Sequence, residues 1–390
     1  MEIFANRGCI STRDGTIAIR SGLPDSTQGA PFMPGPVFAG TYHLKGDPSG
    51  SPYTYGRYHN PTWTNYERAL GLLEGGDALV FSSGMAAITA VLSAVLLPEL
   101  GKGKDHPVLV MPSDSYYAAR VLSEQHFGHL GVKVRFGPTN NNEQIKLLDD
   151  STLLWIETPS NPGLDVCSIR EMVEAAHEAG ALVAVDNTVA TPLGQKPLRL
   201  GADFSVSSDT KAMTGHSDLV LGHVAASDKS WIDKVRAFRT QQGAIPGPME
   251  VWLAHRSLAT LEVRLERQCR NALEIAKLLS ERNDVLEVRY PGLESDPSYK
   301  ITSSQMRYFG PVVSFVLKSK EDADRFLEES NLVESATSFG SVHTTAERRG
   351  RWGGDVVPDG FIRLSAGCED LNDLIEDISH ALDSLPKPLR

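Results

Sequence analysis

Lys211 is the residue best placed for covalent chemistry. It closes the run Ser208-Asp209-Thr210-Lys211, and the turn Gly215-His216-Ser217-Asp218 follows it closely. A lysine at the end of a strand, behind small hydroxyl residues, can do two things together. Its amine can condense with a carbonyl cofactor, while neighbouring hydroxyls and amides hold an anionic group on the same molecule. A solvated lysine in a polar turn is the ordinary alternative, so the weight falls on what accompanies it.

Several other residues suit the same chemistry. Ser82-Ser83-Gly84-Met85 opens an apolar helical pattern, where free backbone N–H groups and the helix dipole favour an anion and Gly84 permits close approach. Read alone, such a serine is an N-cap. Asp186 ends the apolar run Ala181 to Val185, where a carboxylate is costly unless paired; a protonated pyridine nitrogen would be a productive partner and a turn the common one. Tyr116 offers an aromatic face for stacking or for the core. Tyr55 and Arg57 lie in a polar run, and arginine suits bidentate binding of phosphate or carboxylate. Arg363 sits inside the apolar run Phe361 to Ser365, so facing inward it would need an anion such as a substrate carboxylate.

These residues need a frame. The pattern from about residue 60 predicts a helix over Trp63–Leu73 ending at Gly75-Gly76, a strand at 78–81 and a helix from Met85 to Leu97. Strands follow at 108–111, 132–136, 153–156, 182–185 and 202–206, with helices over Tyr116–Phe127 and 169–179. Strands followed by helices imply crossover units and a mostly parallel sheet covered on both faces. Ligands gather beyond the carboxyl ends of such strands. Gly84, Tyr116, Asn161, Asp186 and Lys211 all fall just after predicted strands. Beyond Gly243 a helical pattern from Met249 to Arg282 precedes strands at 285–290, 312–317 and 361–365 and helices near 320–329 and 371–385. The expected organisation is an arm over 1–55, a large α/β domain over 56–243 and a smaller α+β domain over 244–390. The proline-rich arm cannot build its own core; it is expected to lie across something else, such as another subunit.

A chain of 390 residues suits two domains. The net charge of -11 excludes nucleic acid and anionic membrane as main partners. Cys9, Cys167, Cys269 and Cys368 are far apart, which predicts reduced thiols and no metal cluster. The longest apolar run is too short to span a bilayer, and Met1–Arg7 shows no signal peptide, so the cytoplasm is expected. Gly101-Lys102-Gly103-Lys104 reads as a surface turn. Phosphate-loop, dinucleotide, zinc-protease and serine-hydrolase motifs are absent.

Taken together, the chain resembles the Cys/Met metabolism family of enzymes that use pyridoxal 5'-phosphate. The resemblance covers nearly the whole sequence. It rests on Tyr55-Gly56-Arg57-Tyr58-His59-Asn60-Pro61-Thr62, Ser83-Gly84-Met85-Ala86-Ala87, Glu157-Thr158-Pro159-Ser160-Asn161-Pro162, Val185-Asp186-Asn187-Thr188, Ser208-Asp209-Thr210-Lys211 and Ile362-Arg363-Leu364-Ser365. It implies the aspartate-aminotransferase-like fold (type I) and a homotetramer with shared active sites. It also implies that Lys211 carries the cofactor, Asp186 pairs with the ring nitrogen and Tyr116 stacks on the ring. By the same likeness Gly84, Met85, Ser208 and Thr210 hold the phosphate, with Tyr55 and Arg57 reaching a neighbouring subunit's phosphate site. Asn161, Thr337, Ser338 and Arg363 face the substrate or ring.

The implied reaction is γ-elimination from a sulfur amino acid, as in cystathionine γ-lyases, with γ-replacement on an acylated homoserine as the alternative. The substrate-facing region departs from the family pattern. Thr337 and His343 stand where lyases often carry Glu, and 345–361 is shorter than usual and rich in arginine. His343 and those arginines could bind a larger acidic substrate or form a structural hydrogen-bonded cluster.

Overall fold

The computed structural model describes residues 12–101 and 106–386. Met1–Arg7, Cys9 and Lys102–Lys104 therefore lie outside the described residues. Two sheets carry the architecture. The larger holds β1 (Asp77–Phe81), β2 (Val108–Pro112), β3 (Lys133–Gly137), β4 (Leu153–Glu157), β5 (Leu182–Asp186), β6 (Phe204–Ser207) and β7 (Gly222–Ala226), in the order β1-β7-β6-β5-β4-β2-β3. β6 through β3 run parallel, whereas β7 is antiparallel to both neighbours. The mostly parallel expectation holds. The sequence reading lacked β7, which follows the Lys211 turn and inserts between β1 and β6.

The parallel strands β2, β4, β5 and β6 are buried along almost their whole length, which accounts for their apolar runs, whereas the edge strand β3 is partly exposed. Three helices precede or cross them: α1 (Asp14–Arg20), α2 (Pro61–Glu74) and α3 (Gly84–Leu100). α2 starts on the Asn60 cap, with Pro61 at its first position, and stops at Gly75 in the left-handed conformation (φ 88°). α3 is apolar on all sides because it packs between the sheet and the helix Lys229–Gln242. The helix expected at 116–127 becomes α4 (Tyr117–Val121) and a wider π turn over 122–127. Ser123 back-bonds to the Ala119 carbonyl at 2.9 Å where the register changes. The crossover helix α5 (Ile169–Glu178) buries its apolar stripe under β4 and β5.

The second sheet holds β8 (Val285–Arg289), β9 (Val312–Leu317), β10 (Glu334–Ser335), β11 (Thr345–Arg348) and β12 (Phe361–Ser365), in the order β10-β11-β12-β9-β8. Its own core includes Phe315, Phe326, Ile362, Leu364 and Ile378. The long helix expected from 249 to 282 is broken at Ala259-Thr260. Arg264 Nη2 donates to the Ser257 carbonyl at 3.1 Å, which ends the first helix and lets a second begin at Leu261. The amino-terminal segment is partly anchored in its own chain. Ile17 and Ala18 of α1 enter the core beside α2, while Phe32 and Phe38 stay exposed at 73% and 72%.

Candidate active site

A cavity of about 320 Å³ opens beyond the carboxyl ends of β4, β5 and β6, against the start of α3. Its far wall comes from 337–339, Arg349 and Arg363. Lys211 enters it from the turn after β6. That turn is fixed by Lys211 N donating to the Ser208 carbonyl at 3.1 Å and Gly215 N donating to the Lys211 carbonyl at 2.9 Å. The amine lies 3.4 Å from Ser208 Oγ and 5.6 Å from the centre of the Phe339 ring. Burial pushes its pKa down to about 8; Arg363 pushes the same way and Asp186 opposes.

Asp186 ends β5. Its Oδ1 accepts from Thr188 N at 3.0 Å and Thr188 Oγ1 at 2.5 Å, and Thr188 Oγ1 in turn accepts from Ser208 N at 2.9 Å. This chain of bonds ties the carboxylate to the lysine turn. Burial raises the Asp186 pKa, against the Thr188 bonds and the positive fields of Lys211 and His223. Glu157, directly across from Asp186 in the β4–β5 ladder, was missed in the sequence. Its carboxylate accepts from Tyr116 N and from Asn161 N, both at 2.8 Å, and so positions two of the predicted residues. Burial, then the neighbouring Asp186, drives its pKa well up. It ends an apolar strand just as Asp186 does, and that was the signal available.

The amino end of α3 forms a cradle. Ser83 Oγ caps the helix by accepting from Ala86 N at 3.0 Å. A side chain on Gly84 would come within 2.7 Å of Ser208 Cβ, and one on Gly222 within 2.6 Å of the Ser83 carbonyl. Only glycine allows these backbones to meet. Met85, Ser208 and Thr210 line the cavity here. The Thr210 hydroxyl bridges Leu221 N and O at 3.0 and 3.1 Å. Ser207 Oγ is buried at the cavity wall with no partner among the described residues.

At the far end Arg363 is 4% exposed. Nη1 donates to Asn161 Oδ1 at 2.6 Å and Nη2 to the Ser338 carbonyl at 3.0 Å; Nη2 also donates to Glu347 Oε1. Burial brings the Arg363 pKa down to about 10, against the pull of Glu347. Ser338 adopts a left-handed backbone (φ 78°), a strained conformation at the cavity wall. Thr337 also lines the cavity. Glu347, given no role in the sequence analysis, and Arg349, one of the arginines noted there, belong to a hub. Glu347 faces Arg363 across β11 and β12 and accepts from Arg349 Nη1 at 2.7 Å and Trp352 Nε1 at 2.8 Å. The arginines of this region form hydrogen-bonded pairs, Arg348 with Asp324 and Arg351 with Glu347, while Arg349 also faces the cavity. His343 is not part of it; the side chain is exposed.

Tyr55 and Arg57 do not enter this chain's cavity. Arg57 donates to the Thr240 carbonyl at 2.9 Å and lies over the Tyr58 ring at 5.0 Å.

A lysine with a depressed pKa, a buried strand-end carboxylate and an anion cradle in one cavity agree with what comparison finds. The model of the Cys/Met metabolism PLP-dependent enzyme family matches residues 16–383. The chain belongs to that family. A Streptomyces coelicolor protein named "Putative cystathionine gamma-lyase" is 56% identical over 382 residues, 97% of this chain and 95% of that one. An apo methionine gamma lyase from Micromonospora echinospora superposes with a TM-score of 0.87 at 35% identity, covering 95% of this chain and 99% of that one. A cystathionine gamma synthase from Xanthomonas oryzae, solved with cystathionine, gives 0.89 at 31%, covering 96% and 98%. Members of the Cys/Met metabolism family depend on pyridoxal 5'-phosphate, so this chain is an enzyme of that kind acting on small amino acids. The residues present fit the group. The Gly84 cradle would fill if a side chain were added, Ser207 Oγ lacks a partner among the described residues, and amine and carboxylate share one cavity.

Proposed function

We propose that this enzyme is a lyase that removes the γ-substituent of a sulfur amino acid, converting cystathionine and water to cysteine, 2-oxobutanoate and ammonia. The observation that carries the reading is the Lys211 amine, set in the field of both Asp186 and Arg363 with its pKa brought down to about 8. A substantial fraction of that amine is neutral near physiological pH and able to take up a proton.

Pyridoxal phosphate, when bound, supplies an electron-accepting ring that stabilises negative charge at the substrate Cα. The amides of Gly84 and Met85 and the hydroxyls of Ser208 and Thr210 would hold the phosphate. Asp186 would keep the ring nitrogen protonated, and Tyr116 would cover the ring. Arg363, held by Asn161, Ser338 and Glu347, binds the substrate α-carboxylate. Lys211 takes the proton from Cα and then acts at Cβ, so that the γ-substituent leaves. The exposed Tyr55 and the half-buried Arg57 serve a neighbouring subunit's phosphate site in a homotetramer. We assign the enzyme to the cytoplasm, in keeping with the free Cys167, Cys269 and Cys368.

The second reading, γ-replacement on an acylated homoserine, is favoured by the fold shared with the Xanthomonas synthase and by Thr337 in place of an acidic side chain. Incubation with L-cystathionine, and separately with O-acetyl-L-homoserine plus L-cysteine, separates the two. The lyase reading expects 2-oxobutanoate and free thiol from cystathionine. Cystathionine formed from the acylated homoserine, without 2-oxobutanoate from cystathionine, overturns it.

A further inference from the structure

The far wall of the cavity carries a second cation that has no part in the scheme above. Arg349 lines the cavity with Arg363, and its side chain is 11% exposed. A guanidinium has five N–H donors in a rigid fork. Arg349 commits three of them: Nη1 to Glu347 Oε1 at 2.7 Å, and Nε and Nη2 to Asp355 Oδ2 at 2.9 and 2.5 Å. Among the described residues, one N–H on each terminal nitrogen is left over. The surrounding charge does not cancel. Among the described residues, Arg120, Arg349, Arg351 and Arg363 meet Glu347 and Asp355 in this cluster, four positive groups against two negative. The backing carboxylates also fix the guanidinium in place, so an incoming anion orders little that was free.

We infer that Arg349 is a specificity-determining residue that binds the second carboxylate of a dicarboxylic amino acid, while Arg363 takes the first. The assignment of Arg363 rests on the reading given under Proposed function. Cystathionine has two carboxylates, whereas methionine and O-acetylhomoserine have one. The enzyme thus favours the dicarboxylic substrate.

The test uses the cofactor-loaded enzyme and two amino acids with no γ-group to expel. L-2-aminosuberate carries a distal carboxylate, and L-2-aminoheptanoate lacks it. Calorimetric titration of the wild type is expected to give about tenfold tighter binding of the aminosuberate, the scale of one charge-assisted contact. In Arg349→Gln that preference collapses to less than about twofold, and Arg349→Lys, which keeps the charge on a similar frame, restores part of it. A wild type with no preference, or a preference unchanged in Arg349→Gln, overturns the inference. A Gln variant that does not fold leaves the wild-type preference and the Lys variant to decide; Lys binding both ligands equally well also overturns it. These ligands bind without being turned over, so failure of the γ-elimination reading shows separately, in the product assay.

Discussion

The two ends of the cavity are built on opposite principles. The end holding Lys211, Asp186 and the Gly84 cradle hangs on parallel strands and a helix start, and its bonds run mostly between side chain and backbone. The end holding Arg363, Glu347 and Arg349 is an ion-pair hub spanning two antiparallel strands and the turn between them. The first fixes one chemistry through rigid backbone. The second relies mostly on pairs between side chains, which can vary without disturbing the sheet. That division agrees with a family in which lyases and a synthase share one fold.

Substitutions at each end sharpen the contrast. The largest expected effect is Lys211→Ala, which should leave the fold intact and lower kcat by about 10⁴-fold, the upper range for a lost acid–base group; release of 2-oxobutanoate and the circular dichroism spectrum check both halves. Glu347→Ala should act on stability as well as on substrate binding through Arg363. It leaves Arg363 and Arg349 without their shared carboxylate and should lower stability by about 3–5 kcal/mol, read from denaturant midpoints. A loss no larger than that of an exposed pair would remove the hub from the account.

The next prediction falls beneath the lysine turn. His223 is fully buried, with Nδ1 2.5 Å from Asp209 and Nε2 3.0 Å from Glu74, and Tyr66 donates to Asp209 at 3.0 Å. Burial pulls its pKa down, but Asp209 and Glu74 overcome that and lift it to about 10. A raised folded-state pKa contributes stability that is complete below about pH 6.5 and lost as pH rises through about 10. Thermal midpoints of the wild type should fall across that window, and those of His223→Asn should lack this component. The smallest effect is at the helix cap: Ser83→Ala should cost about 1 kcal/mol of stability and weaken retention of pyridoxal phosphate, measured by dialysis and absorbance.

The same contrast explains what the sequence could convey. The strand-end rule brought Gly84, Asp186 and Lys211 to one place because parallel strands announce themselves as apolar runs and their last residues necessarily cluster. Glu157 obeys that rule too, and was hidden only because it was read as part of a longer motif. At the far end Arg363 was legible as a charge inside an apolar run and Asn161 as a residue just after a strand, but Thr337, Ser338 and the arginine-rich segment only through the family resemblance. Glu347, the partner of Arg363, is selected by cross-strand register, which depends on pairing between segments and not on local pattern. β7 and the bond from His223 to Glu74, 149 residues away in sequence, were invisible for the same reason. The break at Thr260 depended on a side chain reaching back to a carbonyl, which helical periodicity does not record.

The central claim is that one amine, on Lys211, carries the chemistry. Borohydride reduction of the cofactor-loaded protein, followed by peptide mapping, tests it most directly. The account predicts a single pyridoxyl adduct on Lys211, absent from Lys211→Ala. An adduct on another lysine, or none, would contradict it.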